Sequence, residues 1–128
     1  MILLDHNIPR NQTEQLSLWR IHWKQVGYQI GRPEWDDQQE ILRHLQAGRR
    51  LTFFTRDHGF FGRRLCNDRY CIAVVTGPVE ETASWIRRFL RCPQFKTNAL
   101  RSGKVTMLTS VGIAVWEIGQ ERWYNLRW

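Results

Sequence analysis

No stretch of this sequence approaches the roughly 20 consecutive apolar residues that a helix needs to cross a bilayer. A spanning segment is therefore not expected. The start of the chain also lacks the marks of a secretory signal. Met1-Ile2-Leu3-Leu4 runs straight into Asp5, with no basic region before it and too short an apolar run. Cysteine is scarce: Cys66, Cys71 and Cys92 are odd in number and lack metal-finger spacing. Reduced thiols in a cytoplasmic protein are the expectation. Thiol catalysis at Cys66 or Cys71 would need a nearby base that the sequence does not place. Internal repeats and low-complexity tracts are absent. Lysine is rare, with only 3 among the 19 basic residues.

The other 16 basic residues are arginine, and the net charge is +7. Excess positive charge favours polyanionic partners, and arginine is the better bidentate ligand for phosphate. The alternative is that the charge serves solubility alone. A chain of 128 residues, 42% hydrophobic and 24% charged, suits one domain (1–128) with one core. Seven tryptophans supply much of the area such a domain can bury.

Along the chain, Ile2-Leu3-Leu4 reads as a short buried strand of a parallel sheet, which Pro9 bars from continuing. A helix capped by Asn11, with Glu14 three residues on, is expected next. Trp19 to Trp23 alternates apolar with polar or basic residues and predicts a half-exposed strand. Gly27 to Trp35 reads as a loop. Asp37 to Glu40 opens a helix with Ile41, Leu42 and Leu45 on one face and Gly48 as its stop. Leu51 to Thr55 and Cys71 to Val75 read as two more buried strands. Val79, Ala83, Ile86 and Leu90 form one helical stripe, with Glu80 and Glu81 at its start and Arg87, Arg88 and Arg91 near its end. Gln94 to Gly103 is polar with little period. Lys104–Leu108 and Ile113–Ile118 predict a hairpin, and the tail from Glu121 to Trp128 a last short strand. The pattern is α/β: a central, mainly parallel sheet flanked by helices, closed by a C-terminal β-hairpin.

Two of the buried strands run into an aspartate, Asp5 and Asp57. Ligands of parallel sheets bind beyond the carboxyl ends of the strands. If the two strands are neighbours, both aspartates face one crevice. Asp37, or else Asp36, offers a third carboxylate, with Glu40 a turn further on. Converging carboxylates repel one another, and a hard cation such as Mg²⁺ or Mn²⁺ relieves that repulsion. Such a metal activates water and clamps a phosphodiester. Each aspartate also has a plainer reading: Asp37 with Glu40 as a helix cap, Asp5 and Asp57 as turn residues. His6 and His58 adjoin the proposed metal aspartates. A role in proton transfer is open to them, while exposed loop histidines are the default. Arg49-Arg50, Arg63-Arg64 and Arg87-Arg88 are candidates for a phosphate-contacting surface, against the alternative of a solvated face. Trp85 and Trp116 are expected in the core.

The opening Leu4-Asp5-His6-Asn7-Ile8-Pro9 resembles that of PIN-like proteins of the DUF5615 type, with an apolar strand followed by Asp-x-Asn-x-Pro. Asp37 before Ile41-Leu42, and Thr55-Arg56-Asp57-His58-Gly59-Phe60 after an apolar strand, match that family's next two blocks in order and spacing. The likeness covers residues 1 to about 90. It implies a PIN-like three-layer fold and a Mg²⁺- or Mn²⁺-dependent endoribonuclease, as in the toxins of toxin–antitoxin pairs. It implies Asp5, Asp37 and Asp57 as metal ligands, with Asn7 assisting. Arg10, Arg56, Arg63 and Arg64 are the candidates for contact with RNA. The partners to expect are an RNA substrate and a cognate antitoxin protein, with a homodimer allowed and no membrane. Gly59 stands where relatives often carry a second acid, and His6 where they often carry Glu. The other reading is accordingly a decayed PIN-like module that binds RNA or a protein.

Overall fold

The apolar runs at Leu3, Phe53 and Ile72 become adjacent strands, and everything else is arranged around them. The computed structural model describes residues 1–31 and 38–128. Its strands are β1 (Ile2–Leu4), β2 (Lys24–Gln25), β3 (Leu51–Thr55), β4 (Tyr70–Val75), β5 (Lys104–Thr109), β6 (Gly112–Glu117) and β7 (Tyr124–Leu126). Its helices are α1 (Arg10–Leu18), α2 (Gln38–Ala47), α3 (Thr82–Arg91) and α4 (Asn98–Arg101). Among the described residues the strands form one seven-stranded sheet in the order β2-β1-β3-β4-β5-β6-β7. The pairs from β2 to β5 are parallel, and β6 and β7 add antiparallel pairs. The expected mainly parallel α/β sheet and the closing hairpin are both present.

Every residue of β3 and β4 is buried, as fits strands covered on both faces. Alternation along the strands divides the core in two. Leu4, Phe54 and Ala73 point to one face, which α1 and α3 cover with Leu16, Ala83, Ile86 and Phe89. Leu3, Phe53 and Ile72 point to the other, covered by Ile41 and Leu45 of α2 and by Phe60 and Leu65 of two short 3₁₀ turns. Full burial of each such side chain stabilises by roughly 1.5–3 kcal/mol. From β1 the chain steps outward to β2 across the first face, then returns past β1 to β3 across the second. Reversing direction and face together keeps the hand of the crossover, as parallel connections strongly prefer. The β4-to-β5 connection keeps the direction of β3 to β4 but lies on the α1 face, so it takes the opposite hand. Packing of Phe89 edge-on to Phe54, with ring centroids 5.8 Å apart, holds α3 there.

Several local expectations are corrected. Helix α1 starts one residue before Asn11: Pro9 is its N-cap, with no side-chain capping bond. Proline suits that place because its φ is preset and no N–H is left unpaired. Trp19 to Trp23 is not a strand. Arg20 adopts φ 61° in the turn that ends α1, and pairing starts only at Lys24. In the Val79 segment a 3₁₀ turn (Val79–Glu81) precedes α3, which shifts the buried stripe to Thr82, Ala83, Ile86 and Phe89. Val79 is exposed and Leu90 only half-buried. Trp85 and Trp116 are likewise half-buried, packed on the margins of the core. Asp37, with Glu34 and Asp36, lies outside the described residues.

The segment Gln94 to Gly103, without a readable period, contributes Phe95 and Arg101 to the interior. Arg101 is buried, and its guanidinium donates to Thr52 Oγ1 (2.8 Å), the Phe95 carbonyl (2.8 Å) and Asn98 Oδ1 (2.5 Å). Burial pulls its pKa below the ordinary value. The three cysteines are free thiols, as expected.

Burial pushes the Cys71 thiol up to about 12, against its ordinary 9.0. Unfolded, this thiol ionises near pH 9, while the folded chain keeps the proton until about pH 12. Between those values the unfolded state binds fewer protons, so stability falls as pH rises. Tyr70, also raised to about 12 by burial, adds to the fall only above its ordinary 10.0. In urea titrations, Cys71→Ala should flatten the loss of stability between pH 9 and 10. An unchanged slope would show that Cys71 does not drive it.

Candidate active site at the β1–β3 edge

The chain leaves β1 to one side for β2 and continues to the other side from β3, so β1 and β3 flank the point where strand order reverses. Ligand crevices of parallel α/β sheets open there, beyond the carboxyl ends. Leu4 pairs with Phe54, and the Asp5 N–H donates to the Phe54 carbonyl at 2.8 Å. Asp5 and the Thr55-Arg56-Asp57 segment are thereby placed side by side.

Asp5 is 2% exposed. Its Oδ1 accepts the His6 backbone N–H and is paired with His6 Nδ1, both at 2.8 Å. A carboxylate only accepts, so Nδ1 carries the proton, and a neutral His6 ring keeps Nε2 as an acceptor. Its Oδ2 accepts the Thr55 hydroxyl at 2.6 Å. That hydroxyl in turn accepts the Asp57 N–H at 3.0 Å, so Thr55 ties the two aspartates together. Asp57 is exposed, and its Oδ1 caps the His58–Phe60 turn through the Gly59 N–H at 2.9 Å. A Cβ built on Gly59 would meet Asp57 Oδ1 at 3.1 Å, so an acid in that position would sit against Asp57.

Two glutamines hold the backbone around the site. The buried Gln25 side chain donates to the carbonyls of Asp5 and Ile8, both at 3.0 Å, and shapes the β1–α1 loop. Gln12 Oε1 accepts the Ala83 N–H at 2.9 Å and joins α1 to the start of α3. Asn7 Oδ1 accepts the Arg56 N–H at 3.3 Å, which brings Asn7 to the same edge. Sequence reasoning singled out Asp5, Asn7 and Asp57 but missed Gln25, Gln12 and the linking role of Thr55. Glutamine carries no motif signal, and Gln25 acts 17 to 20 residues away from its partners.

The arginines expected to meet RNA are in different situations. Arg56 is committed to the fold: its guanidinium donates to Thr82 Oγ1 (3.1 Å) and to the Gly77 carbonyl (2.6 Å). It clamps the ends of β3 and β4 to the start of α3. Arg10 pairs with Glu14 on the exposed side of α1 at 3.0 Å. Arg63 and Arg64 are exposed on the 3₁₀ turn that follows Gly62. Of these four, Arg63 and Arg64 are the two whose guanidiniums make no hydrogen bond or ion pair among the described residues.

Asp5 and Asp57 present all-oxygen donors of the kind Mg²⁺ and Mn²⁺ take. Among the described residues neither makes an ion pair with Lys or Arg, and His6 is the only basic partner of Asp5. A carboxylate offers about four lone-pair sites. Among the described residues Asp5 uses three, leaving one on Oδ2, and Asp57 Oδ2 has no partner. The donor atoms are thus of the type a hard cation takes. Among the described residues no group of three His, Cys, Asp or Glu forms a complete metal cage. Asp37, expected from the sequence as the third ligand, lies outside them.

Comparison with protein-family models, curated proteins and solved structures finds no match to this chain.

Proposed function

We propose that the chain is a PIN-like, Mg²⁺- or Mn²⁺-dependent endoribonuclease, with Asp5 and Asp57 as metal ligands and Asp37 as the third. The observation that carries this reading is that the Asp5 carboxylate and the Asp57 backbone meet on the Thr55 hydroxyl, where the strand order reverses. A bound metal would supply an activated water and a clamp on the scissile phosphodiester. Asp5, held in place by Thr55 and His6, presents Oδ2 in a fixed direction. Asn7, docked on the Arg56 backbone, is placed to orient the water or the phosphate. His6, whose ring pairs with Asp5 Oδ1, is the candidate for a role in proton transfer. The resemblance also suggests a toxin held in check by an antitoxin. Loss of toxicity on co-expression with the product of a neighbouring small reading frame would support that role.

One observation favours a second reading, a PIN-like module that binds RNA or a protein without cutting. Three of the acceptor sites of Asp5 are already filled by the chain itself, and Gly59 stands where an acid would join Asp57. Metal titration separates the two. A ligand that binds only the native state stabilises it by RT ln(1 + [L]/Kd), about 2.7 kcal/mol at a hundred times Kd. For the nuclease, millimolar Mn²⁺ should raise the melting temperature by several degrees, and structured RNA should be cut with Mn²⁺ but not with EDTA. A melt insensitive to Mn²⁺, with no cleavage, leaves the binding module.

A further inference from the structure

A basic groove lies along the outer side of α3. The Arg56 clamp ends on the Gly77 carbonyl, and Gly77, at φ 80°, lies so close to the Trp85 ring that a Cβ there would stand 2.7 Å from it. Trp85 packs edge-on to Trp128, with centroids 6.0 Å apart, and Trp128 Nε1 donates to the Thr109 carbonyl at the end of β5. Beyond these two tryptophans a cavity of about 620 Å³ is lined by Arg87, Arg88, Arg91, Arg127 and Trp128. Among the described residues none of these arginines pairs with an Asp or Glu side chain. Two are held by aromatic rings. Arg87 lies 3.7 Å from the centre of the Trp19 ring, and Arg88 lies 4.5 Å from that of Trp128 and donates to the Trp128 backbone oxygen at 3.2 Å.

We infer that this groove binds the phosphate backbone of single-stranded RNA and leads it away from the Asp5–Asp57 edge. Gathering four guanidiniums with no Asp or Glu side chain among them favours an anion that joins them. Planar forks already stacked on rings lose little entropy on gripping a phosphate. Arginine interleaved with tryptophan is the chemistry by which proteins track a single strand. That the strand passes between this groove and the Asp5–Asp57 edge rests on the nuclease reading.

The test is fluorescence anisotropy of a labelled single-stranded oligoribonucleotide over a salt series, in an Asp5→Asn background. Arg88→Gln/Arg91→Gln/Arg127→Gln should lower affinity roughly tenfold or more and make the log–log salt slope shallower by about 2, at about 0.7 per lost phosphate contact. A charge-matched control, Arg49→Gln/Arg50→Gln/Arg122→Gln, should change both less. Arg88→Lys/Arg91→Lys/Arg127→Lys, which keeps the charge, should recover the slope but only part of the affinity. Equal losses in groove and control variants, or none in the groove variant, overturn the proposal. So does a polyglutamate peptide that needs the groove arginines when RNA does not, because the groove then serves a protein. Loss of RNA binding in the groove variant, with no cleavage by wild type in Mn²⁺, keeps the groove and removes the nuclease. Cleavage by wild type with binding independent of the groove does the reverse.

Discussion

Changing Asp5 to Asn is expected to lower metal-dependent RNA cleavage by about three orders of magnitude while leaving the protein folded. Metal stabilisation of the charge in the transition state is worth several kcal/mol, and each 1.36 kcal/mol is tenfold in rate. The fold should survive because Asn keeps an oxygen for the His6 N–H, and only the contact with the Thr55 hydroxyl changes sign. The amide now donates where the carboxylate accepted, and a mismatched buried bond costs about 1–3 kcal/mol. Circular dichroism and a thermal melt, run beside the cleavage assay, separate the two effects. Wild-type cleavage by the folded variant would remove Asp5 from the reaction. Thr55→Val makes a useful companion, because it keeps the charge of Asp5 but cuts its link to Asp57. Loss of a partner that orients a metal ligand typically costs 10- to 100-fold.

The second large effect concerns stability. Arg101→Leu should destabilise the protein by about 2–4 kcal/mol, a fall in melting temperature on the order of 10 °C for a chain of this size. The substitution strands the Thr52 hydroxyl, the Phe95 carbonyl and the Asn98 side chain, which no other side chain among the described residues serves. It also loosens the Phe89–Phe95 stack, whose centroids lie 4.7 Å apart under α3. Because Arg101 bonds the face of β3 opposite to Phe53, its loss should leave the Mn²⁺ response of the Asp5–Asp57 edge intact in protein that is still folded. A melt within a degree of wild type would show that the buried guanidinium contributes no net stability. That outcome is physically open, since desolvating a charge offsets much of what its hydrogen bonds contribute.

These two residues also mark how far the sequence can be read. Asp5 is visible because it ends a run of apolar residues with strand length, and parallel sheets place their chemistry at that end. Asp57 is visible for the same reason, and the block Thr55-Arg56-Asp57 survives as a structural unit. Arg101 lies in a polar stretch with no period, and nothing local separates a buried arginine from a solvated one. Its burial depends on three acceptors, two of them nearby in sequence and one, Thr52, far away on β3. Arg56 shows the opposite error. Its position beside Asp57 suggests a hand for RNA, yet the neighbouring strand end and the start of α3 take both ends of its guanidinium.

The sequence by itself determined the α/β class, the buried strands at Leu3, Phe53 and Ile72, the closing hairpin and two aspartates at strand ends. These depend on local patterns, apolar runs of strand length stopped by Asp, Gly or Pro, and burial reads such patterns directly. Strand neighbours, the face that each helix covers, the opposite hand of the β4-to-β5 crossover and the arginine groove along α3 were decided only by the tertiary structure. Each depends on pairing between residues far apart in the chain, where a single register step moves a side chain to the other face of the sheet. Periodicity records which residues seek the interior. It does not record which strand they will meet there.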